Sequence, residues 1–257
     1  EEDRAVDPAA VARKLAADPM ITHVAVAHCE TTTGILNPLL PVAEIVAKAG
    51  CKLLLDAMSS FGALPIDLRT LRVAAVLASS NKCLEGVPGL AFALIERDIL
   101  TACAGRSPSL SLDLHAQWRG FEDNGQWRFT PPVQVVAALV EALRLLEAEG
   151  GPAARLQRYQ NNLETLVDGA AALGLELYLD RALQAPIIAT FRPPAARKFD
   201  FEAFYQALAR QGFIIYPGKL TQAESFRIGC IGAVNRADFE RLVAALGPAL
   251  DSAGTVG

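Results

Sequence analysis

A lysine closes an apolar run in this chain. The run is AAVLA at 74–78, and SSNKCLEGVPG follows at 79–89, with Lys82 just ahead of a Gly/Pro turn. A lysine amine stripped of water favours its neutral form, and a neutral amine attacks carbonyl carbon to give a Schiff base. Most lysines are solvated surface charges, so Lys82 needs a second residue before it reads as reactive. Asp56, which ends the apolar run KLLL, is that residue. Through DAMSS it could cap a following helix. It could also keep a ring nitrogen protonated, and an aldehyde cofactor of the pyridoxal type needs such a carboxylate together with a lysine. Glu30 and Thr31 follow a third apolar run, HVAVAHC.

These residues need a frame. PAAVARKLAA (8–17) has the spacing of a short amphipathic helix opened by Pro. HVAVAH (23–28), CKLLLD (51–56) and GLAFALI (89–95) read as strands, and LRVAAVLASSN contains another around AAVLA, with a helix PVAEIVAKAG (41–50) closed by Gly50. Strands alternating with helical stretches predict a mostly parallel α/β sheet, where ligands bind beyond the carboxyl ends of strands. Asp56 and Lys82 then lie one strand–helix–strand excursion apart on one sheet edge. Two long helices are predicted next, from near Pro131 to Gly150-Gly151 and from 152 to Gly174. Beyond them LELYL, APIIATF, GFIIYP and SFRIG alternate with the helices FDFEAFYQALARQG and RADFERLVAALGPAL. The predicted division is therefore a large α/β domain over 1–150 and a small α+β domain over 151–257.

Composition removes several functions. The 257 residues are 52% apolar and 20% charged, enough for a sizeable core, and the net charge is −4. No Lys/Arg cluster suggests nucleic acid. No stretch reaches the ~18 apolar residues of a membrane span, and no signal peptide is evident. Cys29, Cys51, Cys83, Cys103 and Cys230 are scattered, with only three histidines beside them. That spacing holds no metal site and no disulfide framework, and it predicts buried, reduced thiols in the cytoplasm. The chain starts at EEDRAVDP without Met, like a connector leading into a helix, and the expectation is that residues precede it.

Four segments then carry a resemblance: HCETTTGILNP (28–38), DAMSSFGALPIDL (56–68), SSNKCLEGVPG and YPGKLTQAESFRIG (216–229). With SLSLDLHAQWRGFEDNGQWRFTPP (109–132), they resemble the class V aminotransferases of the fold type I, aspartate-aminotransferase-like architecture. Within that family they are similar to the branch that acts on 2-aminoethylphosphonate and pyruvate. The resemblance implies transamination to phosphonoacetaldehyde and L-alanine with pyridoxal 5′-phosphate, in a cytoplasmic homodimer that degrades phosphonates.

The resemblance also implies residue roles. Lys82 would bind the cofactor aldehyde and move the substrate proton, and Asp56 would pair with the ring nitrogen. Met58 would pack on the ring, and Thr31 would bond near its hydroxyl. Asn81 would meet the phosphate, while Thr130 would reach the phosphate bound by the partner subunit. Arg227 would grip the carboxylate or phosphonate of the substrate, a task suited to a guanidinium fork. Each has a plainer alternative: a turn residue at Thr31, an N-cap at Thr130 for a helix from Pro131, a surface ion pair at Arg227. The chain departs from the family pattern with ASSNK for SSANK, Glu85 for Gln and Leu90 for a bulky aromatic. Family members carry roughly a hundred further residues at the front, including a Gly-rich phosphate loop, so the resemblance implies weak or no turnover for these residues alone. Two other readings stay open: an alanine/serine–glyoxylate aminotransferase, and a catalytically incompetent piece.

Overall fold

The computed structural model describes residues 2–194, 199–221 and 223–254. Gln222, inside the YPGKLTQ segment, lies outside them. Helix α1 (Pro8–Ala17) is opened by Asp7, whose side chain accepts from the Ala9 N–H, with Pro8 at the first turn. Strand β1 (His23–Ala27) leads to α2 (Leu39–Lys48). That helix begins two residues earlier than predicted. Pro41 falls in its first turn, where the missing N–H has no helical partner to lose.

Strands β2 (Lys52–Asp56), β3 (Ala75–Ser79) and β4 (Ala91–Ile95) complete a sheet in the order β1-β2-β3-β4. The first three are parallel, with Ala27 opposite Asp56 and Asp56 opposite Leu77. β4 is antiparallel, Ser79 facing Ala91. Leu39, Val42, Ala43 and Val46 of α2, spaced as one helical face, bury against Leu53 and Leu55 of β2. Each of the Leu and Val side chains contributes about 1.5–3 kcal/mol, so a charge at Val42 would break this layer.

The segment 57–74 corrects a prediction, because no helix spans it. Gly62 takes a positive φ of 98°, and Pro65 follows, so the chain crosses from β2 to β3 in consecutive turns. Ala57, Ala63, Leu64 and Val73 still bury their side chains there.

Helices α3 (Arg97–Ala102) and α4 (Leu114–Asn124) precede α5 (Val133–Glu149) and α6 (Gly151–Ala172). Gly150 caps the end of α5 and the start of α6 in a left-handed conformation. A second sheet follows, all antiparallel, from β5 (Glu176–Leu177), β6 (Ile188–Arg192), β7 (Tyr216–Pro217) and β8 (Phe226–Gly229), in the order β5-β6-β8-β7. Helices α7 (Phe201–Ala209) and α8 (Arg236–Ala253) complete this part. Its core holds Leu166, Phe191, Phe204, Phe226 and Leu246. A third apolar cluster joins the halves, bringing Cys29, Leu64 and Cys83 against Tyr159 and Ile187. Among the described residues no helix is long and apolar enough to cross a membrane. Cys29, Cys83 and Cys230 are buried free thiols, whereas Cys103 is exposed and Cys51 half-buried.

Candidate active site

Lys82 sits on the short return from β3 to β4, and that return is closed from within. The fully buried Ser80 donates its hydroxyl to the Val87 carbonyl at 2.6 Å, and its N–H bonds the Leu90 carbonyl. Gly86 N–H reaches the Ser80 carbonyl at 2.7 Å, and a Cβ at Gly86 would lie 2.8 Å from that oxygen, so only glycine fits. Glu85 N–H bonds the Lys82 carbonyl. The loop is also tied to the one that follows Asp56. The Cys83 thiol donates to the Ser59 carbonyl at 3.3 Å, and Ser79 donates to that of Met58. Burial pushes the Cys83 thiol up to about 12, which makes it a spacer rather than a nucleophile.

Arg227 approaches from the second sheet and is only 7% exposed. Its Nε donates to the Pro217 carbonyl at 3.1 Å, and its Nη1 donates to the Thr31 carbonyl at 2.9 Å. Its Nη2 has no partner among the described residues. Burial pulls Arg227 below its usual range, and the guanidinium still carries its charge. The surface ion-pair alternative is thereby overturned. Thr31 belongs to a loop anchored across the molecule: the Ala185 N–H reaches the Gly34 carbonyl, and Leu36 N–H reaches that of Leu183. Gly34, at φ 96°, is forced by close approach, since a Cβ there would lie 2.4 Å from the Ile188 carbonyl.

Thr31, Lys82 and Arg227 line one cleft of about 640 Å³, with Tyr216 and Lys219. Its charged lining is three cations and Asp238, and Asp238 is engaged by Arg241 at 2.6 Å. Such a surplus suits a small anion. A cleft of about 790 Å³ near Phe199 and Ser225 has Asp200, Glu202 and Glu224 as its charges and holds none of the predicted site residues.

The remaining predicted residues are less gathered. Asp56 is exposed at the end of β2. One carboxylate oxygen accepts from the Met58 N–H at 2.9 Å in a local turn; the other has no partner among the described residues. No helix follows for Asp56 to cap. Met58 is half-buried and Asn81 exposed beside Lys82. Thr130 is exposed, outside the cleft. It does not cap α5, because the helix starts at Val133 with Pro132 at the cap position and no side-chain cap.

Sequence reasoning missed a buried ion cluster under the lysine loop. Arg155, 2% exposed, lies 2.7 Å from Glu149 and 3.5 Å from Glu85, and its Nη1 donates to the Cys83 carbonyl at 2.9 Å. Arg158 pairs with both glutamates at 2.8 Å. Tyr159 donates its hydroxyl to Glu85 at 2.5 Å. The Arg158 bond holds the Glu149 carboxyl below its usual range, and burial raises Tyr159. Glu85 is the one non-glycine residue with positive φ, 60°, among the described residues. That backbone costs a side-chain-bearing residue roughly 1–3 kcal/mol. A signal was present: Arg155, Tyr159, Asn162 and Leu166 share one buried face of α6, and three of these four are polar.

A family model described as "Aminotransferase class-V" matches residues 1–241. The chain belongs to the class V aminotransferases. It is 54% identical over 253 residues to 2-aminoethylphosphonate–pyruvate transaminase 2 of Burkholderia lata, covering 98% of this chain and 67% of that protein. The corresponding Burkholderia ambifaria transaminase is 53% identical, with 98% and 68% covered. Among solved structures, pyridoxamine–pyruvate aminotransferase from Mesorhizobium loti superposes with a TM-score of 0.88 at 28% identity, covering 98% of this chain and 65% of the other. The chain thus spans about two thirds of the length of these proteins. The fold is that of the fold type I transferases, and the family's cofactor is pyridoxal 5′-phosphate. The residues present fit its aldehyde and ring: an amine at Lys82 without a partner among the described residues, and an Asp56 carboxylate oxygen likewise unengaged at the end of the adjacent strand.

Proposed function

We propose that the chain carries the amine and the anion-binding arginine of an enzyme that moves the amino group of 2-aminoethylphosphonate to pyruvate. The products are phosphonoacetaldehyde and L-alanine. One observation supports this reading above the others: Lys82 and the half-free fork of Arg227 face a single cationic cleft.

Lys82 would hold the cofactor through its aldehyde, and Asp56, through its unengaged oxygen, would keep the ring nitrogen protonated. Met58 and Thr31 would pack against the ring and bond its hydroxyl, with Asn81 toward the phosphate. Pyridoxal phosphate, when bound, supplies the electron sink that acidifies the carbon beside the transferred amine. Once the amine of the substrate displaces it from the cofactor aldehyde, Lys82 Nζ would be free to move the proton at that carbon. Arg227 Nη2 orients the anionic end of each substrate in turn, the phosphonate and then the carboxylate. The half-buried setting of Lys82 limits the water that would compete for the reacting carbon.

A homodimer belongs to the same reading, with Thr130 serving the neighbouring subunit. The exposure of Leu110, Leu112, Trp127 and Phe129 around Thr130 supports it. We also propose a division into two domains at Gly150, and a cytoplasmic location, where free thiols such as Cys103 persist.

The test is alanine formation from pyruvate with 2-aminoethylphosphonate as donor, beside serine and alanine with glyoxylate. Preference for the phosphonate supports the proposal. Turnover of serine with glyoxylate and none of the phosphonate would overturn it.

A further inference from the structure

The two working groups of the cleft come from distant parts of the chain, yet one buried cluster touches the backbone behind both. On the lysine side, Arg155 grips the carbonyl of Cys83, the residue next to Lys82. Glu85 closes the same turn through its N–H, while its carboxylate binds Arg158 and Tyr159. On the arginine side, Arg158 Nη1 donates to the carbonyls of Gly232 and of Val234, the latter at 3.0 Å. Asn162 adds a bond to the Cys230 carbonyl at 3.1 Å. Residues 230–234 are the turn directly after β8, the strand that carries Arg227.

We infer that Glu85, with Arg155 and Arg158, is a positioning residue that fixes the lysine loop relative to the Arg227 strand. The inference rests on the reading of Lys82 as the cofactor-binding amine. Two arginines face two glutamates in the cluster, so its charge closes on itself. A neutral side chain at 85 that keeps an acceptor oxygen retains the Tyr159 and Arg158 bonds; one without an acceptor frees the turn. The left-handed backbone of Glu85 points the same way. A glycine would adopt it without strain, but only a long acceptor at this position reaches both Arg158 and Tyr159.

The test compares Glu85→Ala, Glu85→Gln and Tyr159→Phe with the unchanged chain. Each is incubated with pyridoxal phosphate and borohydride. The aldehyde condenses with an amine with loss of water, hydride reduces the C=N bond, and labelled lysines are mapped by peptide mass. Exposed Lys52 is the internal control, and circular dichroism establishes that each variant is folded. The Lys82-to-Lys52 labelling ratio should fall about tenfold in Glu85→Ala and a few-fold in Tyr159→Phe, and stay within about twofold in Glu85→Gln. An unchanged ratio in a folded Glu85→Ala chain overturns the inference. If Glu85→Ala does not fold, Tyr159→Phe decides in the same way. Failure of the unchanged chain to label Lys82 at all sinks the reading of Lys82 as the cofactor-binding amine instead, which keeps the two outcomes distinct.

Discussion

The lysine loop and the segment 104–132 both carry signature residues, and they are held in opposite ways. Ser80, Cys83, Leu84 and Arg155 are all but closed to solvent, and every anchor of the lysine loop comes from this chain. Helix α4, in the other segment, buries no residue, and Leu112 beside it is 76% exposed. Its bonds are local, such as Arg119 with Asp123, or Arg128 with the Leu110 carbonyl. The contrast teaches that a motif is readable as geometry only where packed neighbours hold it. Lys82 and Arg227 are placed by what surrounds them; Thr130 is displayed rather than placed.

The largest effect should come from removing the amine. Lys82→Ala should abolish whatever alanine formation the unchanged chain supports, whereas Thr130→Ala should act mainly on cofactor affinity; steady-state assays at several pyridoxal phosphate concentrations separate the two. Next comes the cluster. Arg155→Met leaves Glu149 and Glu85 short of a buried partner and should cost about 3–5 kcal/mol in urea denaturation. Arg119→Met, in the exposed segment, should stay within about 0.5 kcal/mol. If the two losses were equal, the contrast between the regions would be wrong.

Acid should weaken the sheet from which the lysine loop springs. His28 is buried, with Nδ1 3.1 Å from the Ser60 hydroxyl, and burial lowers its pKa to about 4. The folded state keeps it neutral while the unfolded chain takes up a proton below about 6.5. That stability is present above pH 6.5 and is lost as pH falls through about 4, at a cost of about 3 kcal/mol. Unfolding followed from pH 7 to 4 should show the loss, and His28→Gln should flatten it. Smallest of all, Leu112→Ser should change stability by less than about 0.5 kcal/mol while weakening self-association in sedimentation.

Much of the frame was legible because periodicity and caps agree. The predicted α1 matches its bounds, and β1 to β3 fall within a residue or two. The helix expected between Asp56 and Lys82 was not there, since Gly62 and Pro65 favour turns over a repeat. Helix α4 went unread although Leu114, Trp118 and Phe121 share one face, because the helix is short and mostly polar, marked only by an Asp113 cap and a left-handed Gly125 at its end. The ion cluster was hidden because polar residues, Arg155, Tyr159 and Asn162, fill positions on α6 where burial usually selects apolar ones.

The reversal at β4 bears on the order of folding. Because β4 returns antiparallel to β3, the lysine loop, residues 80–90, is the tip of a hairpin. Closing it costs less loop entropy than any contact that spans the helices beyond it. Arg227 lies on the far side of α5 and α6 and reaches Thr31 only after a far longer stretch of chain has closed. The β3–β4 pairing therefore closes over a short stretch of chain, while both the amine and the guanidinium take their final places only when α6 docks, Arg155 on the Cys83 carbonyl and Arg158 on Glu85.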